Sequence, residues 1–428
     1  MDNTGIIVGL DIGTTKICAI VGEKNSYGKI DILGVGKSPS DGVVRGVVTN
    51  IDRTVQSIKK AVEEASRASN VEITHVHVGI AGQHINSHQH RGSIVRRDAE
   101  SEISNSDIDR MLEDMHNVAM QPGEKIIHII PQEYTVDGDF GIKEPVGMSG
   151  VKLEGNFHII TGQITAAKNI YRCVEKAGLE VVGITLEPIA SSAAVLSDDE
   201  KEAGVALVDI GGGTTDIAIF QDGIIRHTAV IPLGGNIITE DIKQGCTVMQ
   251  KQAEALKVQF GNAWAEDAKI NEIISIPGLK GREPREISRR NLAHIIQARV
   301  EEIFEHVHYE IKSSQFSDKL IGGIVLTGGG SMLKNITHLV EYITTLDTRV
   351  GTPGEHLGAS LTEKVNSPIY ATGLGLVVNA FDQKLSAGSN TQNEVDKPKP
   401  SLKMAATGAS GFLGKLKKWL KDDIEDFE

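Results

Sequence analysis

One pattern of apolar run, Asp, Gly/Thr turn and second apolar run is written twice in this chain, and no other feature restricts the fold so much. Residues 6–20 read IIVGLDIGTTKICAI and residues 205–220 read VALVDIGGGTTDIAIF. Each has the form of a buried strand hairpin closed by a glycine-rich turn. The surroundings repeat as well. After the first copy, strands are expected at 6–10, 16–22 and 29–36, then a helix at 51–69, where Ile51, Val55, Ile58 and Val62 recur at helical spacing, and a strand at 74–82. A helix, strand and helix resume at 164–196, which leaves 84–162 as an insertion. The second copy is followed by strands at 215–221 and 223–231 and by a helix after PLGGN. A strand, glycine turn and helix come next in IGGIVLTGGGSMLKNITHLVEYI, then a last helix over 366–381 with Pro368 near its start. Asp11 and Asp209 stand about half a chain apart. Two halves of like topology predict a duplicated α/β fold with one site held from both sides.

With 428 residues, 40% of them apolar, the chain has material for at least two domains and a large core. Its net charge of -13 speaks against broad nucleic-acid binding, which needs a cationic surface. Cys18, Cys173 and Cys246 lie scattered in apolar stretches without a CxxC pair, so core positions in a reducing cytosol are expected, with neither disulfides nor zinc. His84, His88 and His90 in HINSHQHRG lack a carboxylate at ligand spacing and are expected on a polar surface loop. No stretch approaches the ~20 apolar residues of a membrane span. MDNTG has no basic region leading into an apolar one, so a chain neither exported nor integral is expected.

The turns suggest their own chemistry. Glycine lets backbone N–H groups approach an anion, and Thr hydroxyls add donors, so DIGTT and DIGGGTT each suit phosphate oxygens, and the pair suits a chain of phosphates. An Asp at the end of each first strand would be repelled by phosphate alone. It can hold Mg²⁺, usually through water, which makes Asp11 and Asp209 the metal-side residues.

The paired turns, with LTGGGSML behind them, resemble the actin-like ATPase superfamily, a two-lobed ribonuclease H-like fold whose signature is two phosphate loops and a glycine-rich adenosine loop. The resemblance implies ATP and Mg²⁺ as cofactors. It makes Asp11, Gly13, Thr14, Thr15 and Lys16 the first phosphate loop, and Asp209, Gly211, Gly212, Gly213, Thr214 and Thr215 the second. Gly328, Gly329, Gly330 and Ser331 match the adenosine loop. LEPIASSAAVL resembles the hinge helix between the halves, with Glu187 where several relatives place a residue that orients the attacking water. AEALKVQFG resembles the helix whose Glu and Lys, here Glu254 and Lys257, flank the base and ribose. GLDIGTT also opens many sugar and carboxylate kinases, but no separate acidic residue can be assigned as base for a substrate hydroxyl. A chaperone-type ATPase would need a peptide-binding domain, for which the chain after residue 381 is too short. A pilus-assembly actin homologue accounts less well for the C-terminus.

That C-terminus has two parts. Residues 384–410 are rich in Ser, Asn, Lys and Pro and poor in large apolar side chains, the composition of a flexible tether. In 411–428, Phe412, Leu413, Leu416, Trp419 and Leu420 form one helical stripe flanked by Lys415, Lys417, Lys418 and Lys421. Such a helix lies in an anionic membrane surface or else docks in a partner's groove or back onto the core; the acidic run after Trp419 opposes binding to anionic lipid.

Insertion, tether and terminal helix together resemble the FtsA family of bacterial cell-division proteins, as do GIAGQHI, AAKNIYRCVEKAGL, ASSAAVLSDDE and the whole second phosphate segment. The resemblance divides the chain into subdomain IA (1–83 and 163–198), an inserted α+β subdomain IC (84–162) absent from actin and on the opposite side of IA, IIA (199–235 and 321–383) and IIB (236–320). The linker (384–410) and the membrane-targeting helix (411–428) follow. It implies a protein that polymerises into actin-like protofilaments when ATP-bound, binds FtsZ through IIB and tethers FtsZ filaments to the cytoplasmic face of the membrane at the division site. Later division proteins would be recruited through IC. Turnover of ATP would be slow at most.

Overall fold

The computed structural model describes residues 5–96, 101–278, 283–358 and 362–389. The expected membrane helix at 411–428, and the tether beyond residue 389, lie outside the described residues.

The apolar runs of the first half become an antiparallel meander of β1 (Ile6–Ile12), β2 (Lys16–Lys24) and β3 (Ile30–Pro39). A short hairpin, β4 (Val43–Val44) and β5 (Val47–Val48), leads into α1 (Ile51–Ser69). This helix starts where the Asn50 side chain accepts from the Arg53 N–H at 3.0 Å and stops at Asn70 in the left-handed region. β6 (His75–Ile80) returns parallel to β1.

The chain then leaves for the insertion: β7 (Ile85–Val95), α2 (Asn105–His116), β8 (Glu124–Val136), β9 (Asp139–Ile142) and β10 (Lys152–Gln163), with strand order β7-β10-β8-β9. Met111, Leu112, Leu153 and Phe157 give it a core of its own. The polar loop expected around HINSHQHRG is instead strand: His88 and His90 pair with Ile159 and Phe157 across β10, and His84 just before them is buried. Alternation is blurred there because polar residues of β7 meet another part of the protein. Ser87 Oγ donates to Thr228 O at 3.0 Å and Gln89 Nε2 to Arg226 O at 3.2 Å. Helix α3 (Ile164–Lys176) and strand β11 (Glu180–Leu186) complete a first sheet of order β11-β6-β1-β2-β3.

Helices α4 (Glu187–Val195) and α5 (Asp198–Ala203) carry the chain across to β12 (Val205–Ile210), β13 (Thr215–Gln221) and β14 (Ile224–Ile231). A helical block follows: α6 (Gly235–Gly245), α7 (Gln250–Phe260), the hairpin β15 (Ile273–Ile276) and β16 (Arg285–Ser288), and α8 (Arg289–Ser313). β17 (Ile324–Thr327), α9 (Ile336–Thr344), β18 (Thr348–Val350), α10 (Thr362–Val365) and α11 (Ala371–Ser389) end the described chain. The second sheet runs β14-β13-β12-β17-β18, the same succession of antiparallel and parallel neighbours as the first. All six residues of β12 are buried, as a strand covered on both faces requires.

The two halves exchange helices. Leu374, Val377, Val378 and Phe381 of α11 pack with Ile7, Cys18, Ile20 and Ile32 of the first sheet, whereas Ala194 and Val195 of α4 join Val205, Leu207, Ala218 and Phe220 of the second. Boundaries drawn along the chain at 198 and 383 therefore differ from the packing, in which each lobe is covered partly by the other half. Helix α11 also continues to Ser389, past residue 384 where the tether was expected to begin; Asp382, Gln383, Lys384 and Leu385 do not interrupt a helix, and only the average composition of the segment reads as linker. Among the described residues no helix is long and apolar enough to cross a membrane. Cys18 and Cys173 are buried and Cys246 half-buried, all three free.

Candidate functional site

Both halves end their first strand in the same four-residue turn. The Gly13 N–H donates to Lys16 O at 3.1 Å, and the Gly211 N–H to Thr214 O at 2.9 Å. The register places Asp11 opposite Cys18 and Asp209 opposite Asp216, so Lys16 corresponds to Thr214 and Cys18 to Asp216. The turns are alike in backbone and different in charge.

They also touch. A Cβ on Gly212 would fall 1.9 Å from Thr15 Oγ1, and one on Gly213 would fall 2.7 Å from Thr14 Oγ1, so only glycine permits the approach. The N–H groups of Thr14, Thr15, Gly212 and Gly213 donate to no other group among the described residues. Such a set of free amides is what an anion would meet. The hydroxyls behave less uniformly than the sequence suggests. Thr14 Oγ1 accepts from the Gly46 N–H at 3.1 Å and Thr15 Oγ1 lies 3.5 Å from Asn236 Oδ1. Thr214 donates to Asp216 Oδ2 at 3.0 Å and Thr215 to Leu233 O at 2.8 Å, which leaves the cradle of the second turn mainly to its amides.

Behind the turns, four carboxylates share the cleft with one ammonium. Asp11, Asp209 and Asp216 are buried, and Lys16 Nζ sits 2.6 Å from Asp11 Oδ2. Burial opposes the Lys16 charge, but Asp11 outweighs it and holds this lysine above its usual titration range. Asp209 accepts from Ser191 Oγ at 2.7 Å and Thr372 Oγ1 at 3.3 Å, one from each exchanged helix; burial and the charge of Asp11 still raise its carboxyl. Asp216 is pushed up to about 7 by burial and by Asp209, and its Oδ1 has no hydrogen-bond partner among the described residues. Glu187, the first residue of α4, is raised well above the carboxylate range by burial, then by Asp11, Asp216 and Asp209. Its Cγ lies 3.0 Å from the Cβ position of Gly79 on β6. Carboxylates crowded in this way are destabilised by one another, and a nearby positive charge would relieve them. Among the described residues no group of three or more His, Cys, Asp or Glu side chains is placed to hold a metal ion.

The glycine loop expected to border adenosine follows β17. Gly328, at φ 78°, donates to Pro368 O at 3.2 Å and abuts Asp209, since a Cβ there would fall 2.3 Å from Oδ1. Ser331 is buried and its Oγ donates to Gly328 O at 2.7 Å, so it shapes the loop; Gly330 packs on Ile210, and Gly329 faces open space. Lys257 of α7 reaches Gly235 O at 2.9 Å, Thr239 Oγ1 at 2.8 Å and Glu254 Oε2 at 2.8 Å, and the Gly235 N–H donates to Gly211 O at 2.9 Å. Gly328 and Gly330 abut Asp209 and Ile210, Ser331 is tied to them through Gly328, and Lys257 reaches the second turn through Gly235; Glu254 is one step further away and Gly329 touches neither turn.

Residues 206–375 match the family described as Cell division protein FtsA, and residues 82–161 match an SHS2 domain inserted in FTSA. Cell division protein FtsA of Pseudomonas aeruginosa is 42% identical over 424 residues, covering 98% of each chain. The chain belongs to the FtsA family. FtsA of Escherichia coli K12 is 34% identical over 426 residues, again 98% of each chain, and FtsA of Bacillus subtilis is 39% identical over 377 residues, 88% of this chain and 84% of its own. Among solved structures, the PilM-PilN type IV pilus biogenesis complex superposes with a TM-score of 0.64 at 15% identity, covering 87% of this chain and 98% of that one. MreB5 of Spiroplasma citri bound to ADP gives 0.53 at 15% identity, covering 91% and 99%. The fold is actin-like, and the insertion matches the SHS2 domain inserted in FtsA.

Sequence reasoning missed Asp216, Ser191, Thr372 and Asn236. The first was within reach, because the four-residue turn sets Asp216 across from Asp209. The others reach the site from helices.

Proposed function

We propose that this FtsA-family chain binds ATP with Mg²⁺ between its lobes, polymerises in the closed, ATP-bound form, and tethers FtsZ filaments to the cytoplasmic face of the membrane at the division site. The observation that carries the nucleotide part is the contact of two glycine turns with four unengaged backbone amides, behind which carboxylates crowd around a single lysine. The amides of Thr14, Thr15, Gly212 and Gly213 hold phosphate oxygens, and Asp11 and Asp209, with Asp216 beside them, hold Mg²⁺ through water. The ion, when bound, neutralises the phosphates and relieves the carboxylates of one another. Glu187 orients the attacking water in a slow turnover, and Glu254 and Lys257 border base and ribose opposite Gly328–Ser331.

Nucleotide bound to both turns fixes the lobes together and presents a constant surface to the next subunit. Residues 236–320 contact FtsZ, and the insertion at 84–162 recruits later division proteins. The tail anchors through Phe412, Leu413, Leu416, Trp419 and Leu420, with Lys417 and Lys418 toward anionic head groups. One such helix binds marginally; a filament of them binds firmly by avidity.

The test is co-sedimentation of FtsZ with anionic vesicles in ATP and Mg²⁺, comparing the full chain, a truncation at residue 410 and Trp419→Glu. Only the full chain should carry FtsZ into the pellet. If the full chain pellets with lipid and leaves FtsZ in solution, the division role is lost and the anchor stands.

A further inference from the structure

The β4–β5 hairpin brings a third element to the phosphate turns. At its tip Arg45 has φ 50° and Gly46 has φ 74°. The tip is wedged on both sides. A Cβ on Gly213 would fall 2.9 Å from Arg45 Cα and 3.0 Å from Arg45 N, so the Arg45 backbone lies directly on the second phosphate turn. The next residue donates its N–H to Thr14 Oγ1 of the first turn at 3.1 Å. On its other side, a Cβ on Gly46 would fall 2.7 Å from Gly82 Cα and 2.8 Å from Ala81 O, in the segment that enters the insertion. The starting point of the Arg45 side chain is therefore fixed against both turns at once.

Charge points the same way. Lys16 is engaged by Asp11 at 2.6 Å, and Lys257 by Glu254 and the Gly235 carbonyl at 2.8 and 2.9 Å. Arg45 is exposed, and its guanidinium forms no ion pair or hydrogen bond among the described residues. A polyphosphate entering a cleft lined by Asp11, Glu187, Asp209 and Asp216 needs cationic donors, and a guanidinium can engage two phosphate oxygens at once.

We propose that Arg45 contacts the terminal phosphate of the bound nucleotide and makes the site discriminate triphosphate from diphosphate. This rests on the nucleotide reading above. The left-handed pair Arg45 and Gly46 is what a two-residue hairpin tip requires, and the contacts on its two faces hold that tip at the turns. Because the tip is wedged against Ala81 and Gly82, loss of that phosphate is felt where the insertion begins.

The test is calorimetric titration of the full chain with ATP and, separately, ADP, each with Mg²⁺, for wild type, Arg45→Gln and Arg45→Lys. Arg45→Gln should weaken ATP by about tenfold, the scale of one charge-assisted bond, and leave ADP within about twofold. Arg45→Lys should recover part of the loss. Equal weakening of both nucleotides, or of neither, overturns the proposal while leaving the nucleotide site intact. Wild type that binds neither nucleotide removes the underlying reading as well. Unchanged melting temperatures of the two variants exclude a folding defect.

Discussion

Gly375 of α11 lies directly on the backbone of Ala190 in α4, where a Cβ would fall 1.8 Å from the Ala190 carbonyl oxygen. The two exchanged helices thus cross at backbone contact, and the joint between the lobes has no room for a methyl group. Gly375→Ala is expected to force the helices apart at a cost of about 1–3 kcal/mol, read as a lower urea midpoint. Ser191 follows Ala190 and Thr372 precedes Gly375 by one turn, and both hydroxyls hold Asp209, so nucleotide affinity should fall with stability. Unchanged stability would mean that the helices separate freely.

Asp216 faces Asp209 across two buried strands and titrates at about 7 instead of 3.8. An acid raised in the folded state binds its proton there first. The penalty is therefore absent below the unfolded value, grows between pH 4 and 7, and is complete above pH 7. Asp216→Asn should raise the melting temperature of the nucleotide-free protein at pH 8, by a few kcal/mol in free energy, since every pH unit between the folded and unfolded titration midpoints is worth about 1.4 kcal/mol. The gain should shrink by pH 5 and vanish near pH 4. A gain independent of pH would assign the effect to packing. With ATP and Mg²⁺ present the advantage should reverse, because the site has lost a carboxylate.

The two hairpins are legible in the sequence because apolar run, Asp and glycine turn are local features, and the duplication is legible because the same order recurs from Ile6 and from Val205. Helix α1 is legible from its stripe of Ile51, Val55, Ile58 and Val62. Ser191 and Thr372 are not, since they reach Asp209 from 18 and 163 residues away on helices with no polar signature. The exchange of α4 and α11 is a choice between two apolar sheet faces, and hydrophobic periodicity describes the helix but not its partner. Strand β7 is hidden for a related reason. Gln89 and Ser87 bond to β14 across a polar contact, so their side of the strand reads as if it faced water.

Glu187 sits at the first turn of α4 among Asp11, Asp209 and Asp216. Glu187→Gln keeps the shape and removes the ionisable carboxyl. ATP affinity should change by less than about threefold, whereas phosphate release should fall by about a hundredfold, the usual scale for losing a positioned acid or base. A phosphate-release assay under single-turnover conditions separates the two. Unaltered turnover would reduce Glu187 to part of the electrostatic background.

Closure of the cleft depends on the bare Cα of Gly212, whose Cβ position lies 1.9 Å from Thr15 Oγ1 and 3.1 Å from Thr15 Cβ. Gly212→Ala should hold the two turns apart, so that one phosphate chain no longer reaches both sets of amides. ATP affinity is expected to drop by at least tenfold, the loss of one good hydrogen bond or more, with little change in melting temperature of the nucleotide-free chain. Thr15→Ala removes the hydroxyl that clashes and leaves a contact at which neighbours need shift only by tenths of an ångström. The double variant should therefore regain part of the affinity that Gly212→Ala loses, a non-zero coupling where two independent injuries would simply add. If the losses simply add, the turns do not need to touch when nucleotide is bound, and the closed cleft is not the binding state.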